Sequence, residues 1–142
     1  MNADSFDFWR DHSDRFLEMA CLFDYCEKPL SPDGFARKTR DCGDTIEFYI
    51  TVNGAVIEHI SFIVQGCMNT MACANTIVRL IQGKTITEAW HLTPETVSQY
   101  LKTLPKDHFH CAEHSCETFY KALQDLELKK KEPWRKAYTS NK

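Results

Sequence analysis

The clearest periodicity in the chain is a two-residue alternation from Thr45 to Val52. Ile46, Phe48, Ile50 and Val52 share one parity, and Thr45, Glu47, Tyr49 and Thr51 the other. That pattern predicts a half-buried β-strand. Asn53-Gly54 follows, the strongest short hairpin signal. A second strand is predicted over Ala55 to Val64, with Ile60, Phe62 and Val64 on one face. Val56 keeps their parity and Ile57 breaks it, which predicts a bulge or bend near Glu58, or a split into two strands.

Elsewhere the period lengthens to that of a helix. Ser5 opens a predicted helix to about Phe23, with Trp9, Phe16, Ala20 and Phe23 near one spacing and Phe8, His12, Met19 and Leu22 on an overlapping arc. Cys26 to Gly34 holds two prolines, a Ser, an Asp and a Gly, so it reads as loop. The basic run Arg37, Lys38 and Arg40 then leads into Asp41-Cys42-Gly43-Asp44. After the strands, Gly66-Cys67 opens a helix to about Gln82, its inner face carrying Met71, Ala74, Val78 and Ile81, and Gly83 ends it. Thr85-Ile86-Thr87-Glu88 is a capping box for a short helix. Thr93 caps another, with Pro94 in its first position, Val97, Tyr100, Leu101 and Leu104 on its apolar face and Pro105 as its breaker. The last helix runs from near His110 to about Leu128, with Cys116, Phe119, Tyr120, Leu123 and Leu126 as its core stripe. The order of elements predicts an α+β fold: a helix, a small antiparallel sheet, then helices that cover it. Residues 1–128 are expected to form one domain, and 129–142 a polar, flexible tail.

Composition narrows the function classes. The chain has 142 residues, 43% of them hydrophobic and 26% charged, which is globular composition rather than disorder. A formal net charge of −3 argues against nucleic acid as the main partner. No apolar run reaches the roughly 20 residues of a membrane helix, so no membrane association is expected. Asp4, Asp7 and Asp11 in the first dozen residues match neither a signal nor a transit peptide, and a cytoplasmic location is expected. In a reducing cytosol, seven cysteines, an odd number, are candidates for core filling or for metal and sulfur chemistry rather than for disulfides.

Cys42, Cys67 and Cys111 sit at predicted element ends, where loops on a rigid scaffold can converge. Cys67 and Cys111 are placed at helix starts, where the dipole and free N–H groups favour thiolate. Asp44, two residues after Cys42, and His110, beside Cys111, add an oxygen and a nitrogen donor. Together they suit a thiolate-rich tetrahedral site for zinc or iron–sulfur. Each also has a plainer role: Cys42 as a turn thiol, Cys67 as a small helix-start residue, His110 as a donor to a nearby carbonyl, Asp44 as a solvated strand-end carboxylate. No CxxC occurs, so neither a zinc ribbon nor a thioredoxin-type pair is indicated. Cys73 turns away from Cys67 to join Ile77 and Leu80, and Cys116 aligns with Tyr120 and Leu123, so both are expected in the core. Cys21 belongs to the first helix. Cys26 is an unpartnered loop thiol, exposed and oxidisable, and His114 is expected to be exposed to solvent near the site.

These segments resemble the IscU/NifU iron–sulfur cluster scaffold family. Asp41-Cys42-Gly43-Asp44, Gln65-Gly66-Cys67 and His110-Cys111 match its Cys-Gly-Asp before the sheet, its Gly-Cys at a helix start and its His-Cys before the last helix, over about residues 6–127. The fold this implies is the SufE/NifU-like one, a small antiparallel sheet of about three strands packed against helices. The resemblance implies that Cys42, Cys67 and Cys111 bind the cluster and accept sulfur; Cys111, at a helix start beside His110, is expected to be the persulfide acceptor. It also implies that Asp44 makes the cluster labile and that His110 is the additional ligand. The function it implies is assembly of transient 2Fe–2S clusters, in some members 4Fe–4S, and their delivery. The sulfur comes from a cysteine desulfurase and the recipients are apo iron–sulfur proteins. Zinc is an alternative occupant. The role is that of a carrier rather than a turnover enzyme; the alternative is a zinc-bound persulfide acceptor that relays sulfur only, and a third possibility is a zinc-stabilised interaction module. The family's Leu-Pro-Pro-Val-Lys sequence is here Leu104-Pro105-Lys106-Asp107-His108, so an Hsp70-type chaperone interaction is not carried over. His108 stands where many relatives have lysine, and the segment before Cys42 is a basic loop rather than a glycine-rich one. SufU-type members carry an insertion between the second and third cysteines and lack the histidine, so this chain lies nearer the IscU type.

Overall fold

A computed structural model describes residues 14–40, 43–104 and 106–131, without the side chain of Asp107. The first described helix, α1, is Asp14–Cys21. It keeps Phe16, Met19 and Ala20 of the predicted arc in the core. The predicted stretch from Ser5 to residue 13, with Phe8, Trp9 and His12, lies outside the described residues. So do Pro105 and the tail beyond residue 131.

The sheet has three antiparallel strands in the order β1-β2-β3: Gly34–Thr39, Thr45–Asn53 and Val56–Gln65. Strands β2 and β3 form the expected hairpin. Asn53 pairs with Val56, so the two-residue loop is Gly54-Ala55, one place later than Asn53-Gly54, with Gly54 at φ 65°. The positive φ is tolerated there because glycine has no Cβ. Thr51 pairs with His59 and Val52 with Ile57, which leaves Glu58 as the extra residue of a bulge. The bulge returns Ile57, fully buried, to the side of Ile60 and Phe62. The segment stays one strand.

Strand β1 corrects the expectation that the basic segment before Cys42 is loop: Arg37 and Lys38 pair with Glu47 and Ile46. Its inward positions are Gly34 and Ala36, both buried. They are small because the last helix lies against the strand, so no run of large apolar residues marks it in the sequence.

Helix α2, Met68–Ile81, follows β3 directly, with Cys67 as N-cap and Gly83 at φ 81° just beyond its end. It packs against β3, α1 and the last helix. Buried Asn75 donates from Nδ2 to the carbonyls of Met19 and Leu22, each at 3.0 Å, and so ties down the end of α1. Helix α3, Ile86–Ala89, has the full capping box. Helix α4, Pro94–Leu101, has Thr93 as its cap and ends at Lys102 with φ 67°. A 3-10 turn over Lys106–His108 leads into α5, Phe109–Lys131. Helix α5 covers β1 and β2 and runs three residues past the expected end. Lys129 is buried there, paired to Asp125 at 2.7 Å, and Asp125 also accepts from the Phe35 amide at 2.8 Å. None of the described helices is long and apolar enough to cross a membrane.

Candidate metal centre

Three element ends meet at one end of the sheet: the entry to β2, the start of α2 and the start of α5. Asp44 stands just before Thr45 and its carboxylate lies over Gly66. A Cβ on Gly66 would come within 2.7 Å of Asp44 Cγ and 2.9 Å of Oδ1. The glycine of Gly66-Cys67 is therefore the space in which Asp44 sits. Cys67 is exposed and caps α2 with no side-chain hydrogen bond to the helix amides.

Thr70, one turn into α2 and 1% exposed, connects the donors. Its hydroxyl donates to Asp44 Oδ2 at 2.8 Å and lies 3.4 Å from Cys67 Sγ and 3.6 Å from Cys111 Sγ. A hydroxyl has one proton and two lone pairs. Donation to Asp44 leaves both lone pairs for the two thiol protons. Sequence patterning placed Thr70 in no role; its signal was only its position three residues after Cys67, on the same face of the helix.

Cys111 lies in the first turn of α5, yet it is 1% exposed. Burial pushes its thiol up to about 11. The expectation that a helix start makes this cysteine a thiolate is thus reversed in the metal-free chain, because desolvation outweighs the dipole. Binding a metal here releases a proton. His110 Nε2 lies 3.7 Å from Cys111 Sγ. Arg40 holds the His110 carbonyl at 3.2 Å, which links the end of β1 to the start of α5.

Among the described residues, the set able to share one ion is Cys67, His108 and Cys111, whose ligand atoms all lie within 4.8 Å of one another. Nδ1 of His108 is buried with no partner. Two thiols and an imidazole with an unsatisfied ring nitrogen suit a thiophilic cation. Of the residues singled out from sequence, Cys67 and Cys111 come together, Asp44 joins them through Thr70, and His110 lies against the Cys111 sulfur. Cys42 lies outside the described residues.

His114 corrects another expectation. It is 1% exposed, not solvated, and Nε2 donates to the Lys38 carbonyl at 3.2 Å. Burial lowers its basicity, so it is a neutral brace between α5 and β1. Cys73 and Cys116 are core residues as expected, and Cys26 is half-buried.

A family model of the NifU-like N-terminal domain matches residues 35–133. The chain belongs to this family. The NifU-like domain is 34% identical over 84 residues to iron–sulfur cluster assembly scaffold protein IscU 1 of Archaeoglobus fulgidus, over 59% of this chain and 55% of that one. It therefore spans little more than half the length of that relative. It is 30% identical to the scaffold protein IscU of Buchnera aphidicola over 120 residues, 77% of this chain and 93% of that one. The crystal structure of a nitrogen-fixing NifU-like protein (N-terminal) from Brucella abortus superposes with a TM-score of 0.68 at 17% identity, over 82% of this chain and 94% of that one. That likeness shows the shared α+β fold.

Proposed function

We propose that this NifU-like domain is a scaffold on which iron–sulfur clusters are built and from which they are passed on. The observation that carries the proposal is the meeting of Cys67 and Cys111 beside the Thr70-held carboxylate of Asp44, in a chain whose relatives are named as iron–sulfur cluster assembly scaffolds. The cluster is cargo. Cys42, Cys67 and Cys111 are its thiolate donors, Asp44 its exchangeable corner, and His110 a further donor. Soft thiolates hold iron–sulfur clusters firmly, and a carboxylate gives one corner that water or an acceptor can displace.

The sulfur donor is a cysteine desulfurase carrying a persulfide. A scaffold thiolate attacks the outer sulfur, the desulfurase S–S bond breaks, and its cysteine leaves as thiolate. Each sulfur so delivered needs two electrons to become sulfide, from ferrous iron or an electron-transfer protein. Cys67 is the exposed thiol; Cys111 accepts sulfur once desulfurase docking uncovers it. Recipients are apo iron–sulfur proteins, the cluster is of the 2Fe–2S type, and zinc is an alternative occupant. The protein turns over no substrate of its own. Its six described cysteines are free thiols, which suits a cytoplasmic setting.

The test is anaerobic incubation with ferrous iron, cysteine and a desulfurase. Wild-type chain is expected to develop visible sulfide-to-iron charge-transfer bands, and Cys67→Ser and Cys111→Ser chains are expected to lose them. Sulfane sulfur on the cysteines without those bands would support the zinc-bound sulfur relay instead.

A further inference from the structure

We infer that Cys67 resolves a persulfide formed on Cys111, releasing hydrosulfide and leaving a Cys67–Cys111 disulfide. The inference deepens the proposed scaffold function and rests on its sulfur-accepting step. It gives that step a source of electrons within the chain itself.

The two thiols are within easy reach of each other. Their sulfurs lie within 4.8 Å, and both contact one hydroxyl, Thr70 Oγ1, at 3.4 and 3.6 Å. They are presented by different helices, α2 and α5, which pack on one another. Cys67 caps α2, and its side chain makes no hydrogen bond to the helix amides. It is therefore free to move between staggered positions toward Cys111.

Exposure decides the roles. Cys67 is exposed, whereas Cys111 is 1% exposed. A persulfide has two sulfurs, and the product depends on which is attacked. Attack on the outer sulfur only moves it to another thiol. Attack on the inner sulfur forms a disulfide and expels hydrosulfide. In a Cys111 persulfide the inner sulfur is Sγ, which faces Thr70 and Cys67 and is buried once the desulfurase has left. Dissolved thiols are shut out from it, and Cys67 is not. Cys73 also lies near Cys111, but burial pushes its thiol well above the ordinary range and keeps it protonated and inert.

The step balances without a further reactant. The Cys67 proton passes to water, and the thiolate forms a bond to Cys111 Sγ. The bond from Sγ to the outer sulfur breaks, and hydrosulfide leaves with the electron pair. Two thiols have become one disulfide, and the two electrons they lose have turned sulfane sulfur into sulfide. The disulfide withdraws two cluster donors until a dithiol reductant reopens it. Sulfur that arrives ahead of iron is thus discharged as sulfide instead of accumulating on the chain.

The experiment uses metal-free full chain, anaerobically, with a chelator and no thiol reductant. A desulfurase carrying its persulfide, freed of excess cysteine, is mixed with the chain. Roughly one sulfide per chain is expected, the stoichiometry of thiol–disulfide exchange. A Cys67–Cys111 linked peptide should appear with it in non-reducing mass spectrometry. In Cys67→Ser, sulfide release is expected to fall at least about tenfold, since the exchange has lost its attacking thiol, and the persulfide on Cys111 should persist. Cys26→Ser is expected to behave as wild type. A second arm loads the chain from sodium tetrasulfide and desalts it, which reads the same step without the desulfurase. A wild-type Cys111 persulfide as long-lived as that of Cys67→Ser overturns the inference, as does sulfide that appears while both cysteines stay free. A linked peptide from tetrasulfide, in a chain that takes no sulfur from the desulfurase, supports the inference and overturns the sulfur-accepting step of the proposed function. A chain that gains sulfur on Cys111 from neither source overturns both.

Discussion

At the scale of single residues, the site is governed by what Gly66 and Thr70 allow Asp44 to do. The carboxylate occupies the space a side chain at position 66 would fill and takes the Thr70 proton. Gly66→Ala must therefore move Asp44 off its hydrogen bond, and is expected to resemble Asp44→Ala. With Asp44 as the proposed exchangeable corner, both variants should assemble a cluster, keep it longer in air and release it more slowly to an acceptor. Decay of cluster absorbance measures this; lifetimes equal to wild type in both would remove Asp44 from the release step. A second consequence concerns Cys116, whose burial pushes its thiol up to about 12 from an ordinary 9.0. The folded state holds this proton and the unfolded chain loses it above about pH 9, so stability declines as pH rises through the interval from 9 to 12. Cys116→Ala is expected to flatten the slope of unfolding free energy between pH 9 and 11 by up to about 1.4 kcal/mol per pH unit, measured by denaturant titration. Unchanged slope would mean that Cys116 is not held protonated by the fold. Cys67, Cys111 and Asp44 were legible in the sequence because cysteines and acids at element ends have few structural reasons to be there. His108 was not, because its alignment with Cys111 depends on a 3-10 turn that no periodicity announces. His114 was misplaced because one turn of helix separates it from Cys111, and only the packing of α5 on β1 decides that this face is dry.

At the scale of elements, the parts that carried local rules were readable and the part set by tertiary contact was not. The β2–β3 hairpin, the bulge at Glu58, the capping box at Thr85 and the Thr93-Pro94 start all follow from chemistry within a few residues. Strand β1 does not, since its inner positions are Gly34 and Ala36, chosen by the closeness of α5 rather than by apolar alternation. A Cβ on Gly34 would meet the Ala122 carbonyl oxygen at 2.7 Å and Leu126 Cβ at 2.9 Å. Neither can swing aside, so Gly34→Ala is expected to lower stability by about 1–3 kcal/mol, the usual cost of overpacking. It should also loosen the hold of Lys38 on His114 at the neighbouring end of the same interface. Thermal unfolding checks the first effect; a midpoint within experimental error of wild type would show that α5 is free to retreat from β1.

At the scale of the whole molecule, the fold separates holding from handling. The core of aromatic and aliphatic residues lies between the sheet and helices α2 and α5. The donors stand where β2, α2 and α5 begin. Because these starts belong to elements packed on one another, the fold brings the thiols and the carboxylate together. A scaffold also needs one accessible side, and exposed Cys67 opposite buried Cys111 provides a site that is half closed. In the proposed function, a cluster built here leaves intact for another protein. The most direct measurement follows cluster transfer from the loaded chain to an apo-ferredoxin, anaerobically, with an iron chelator present. Holo-ferredoxin is expected to appear in step with the loss of scaffold absorbance, with little iron reaching the chelator. Iron captured by the chelator while the ferredoxin stays apo would contradict it.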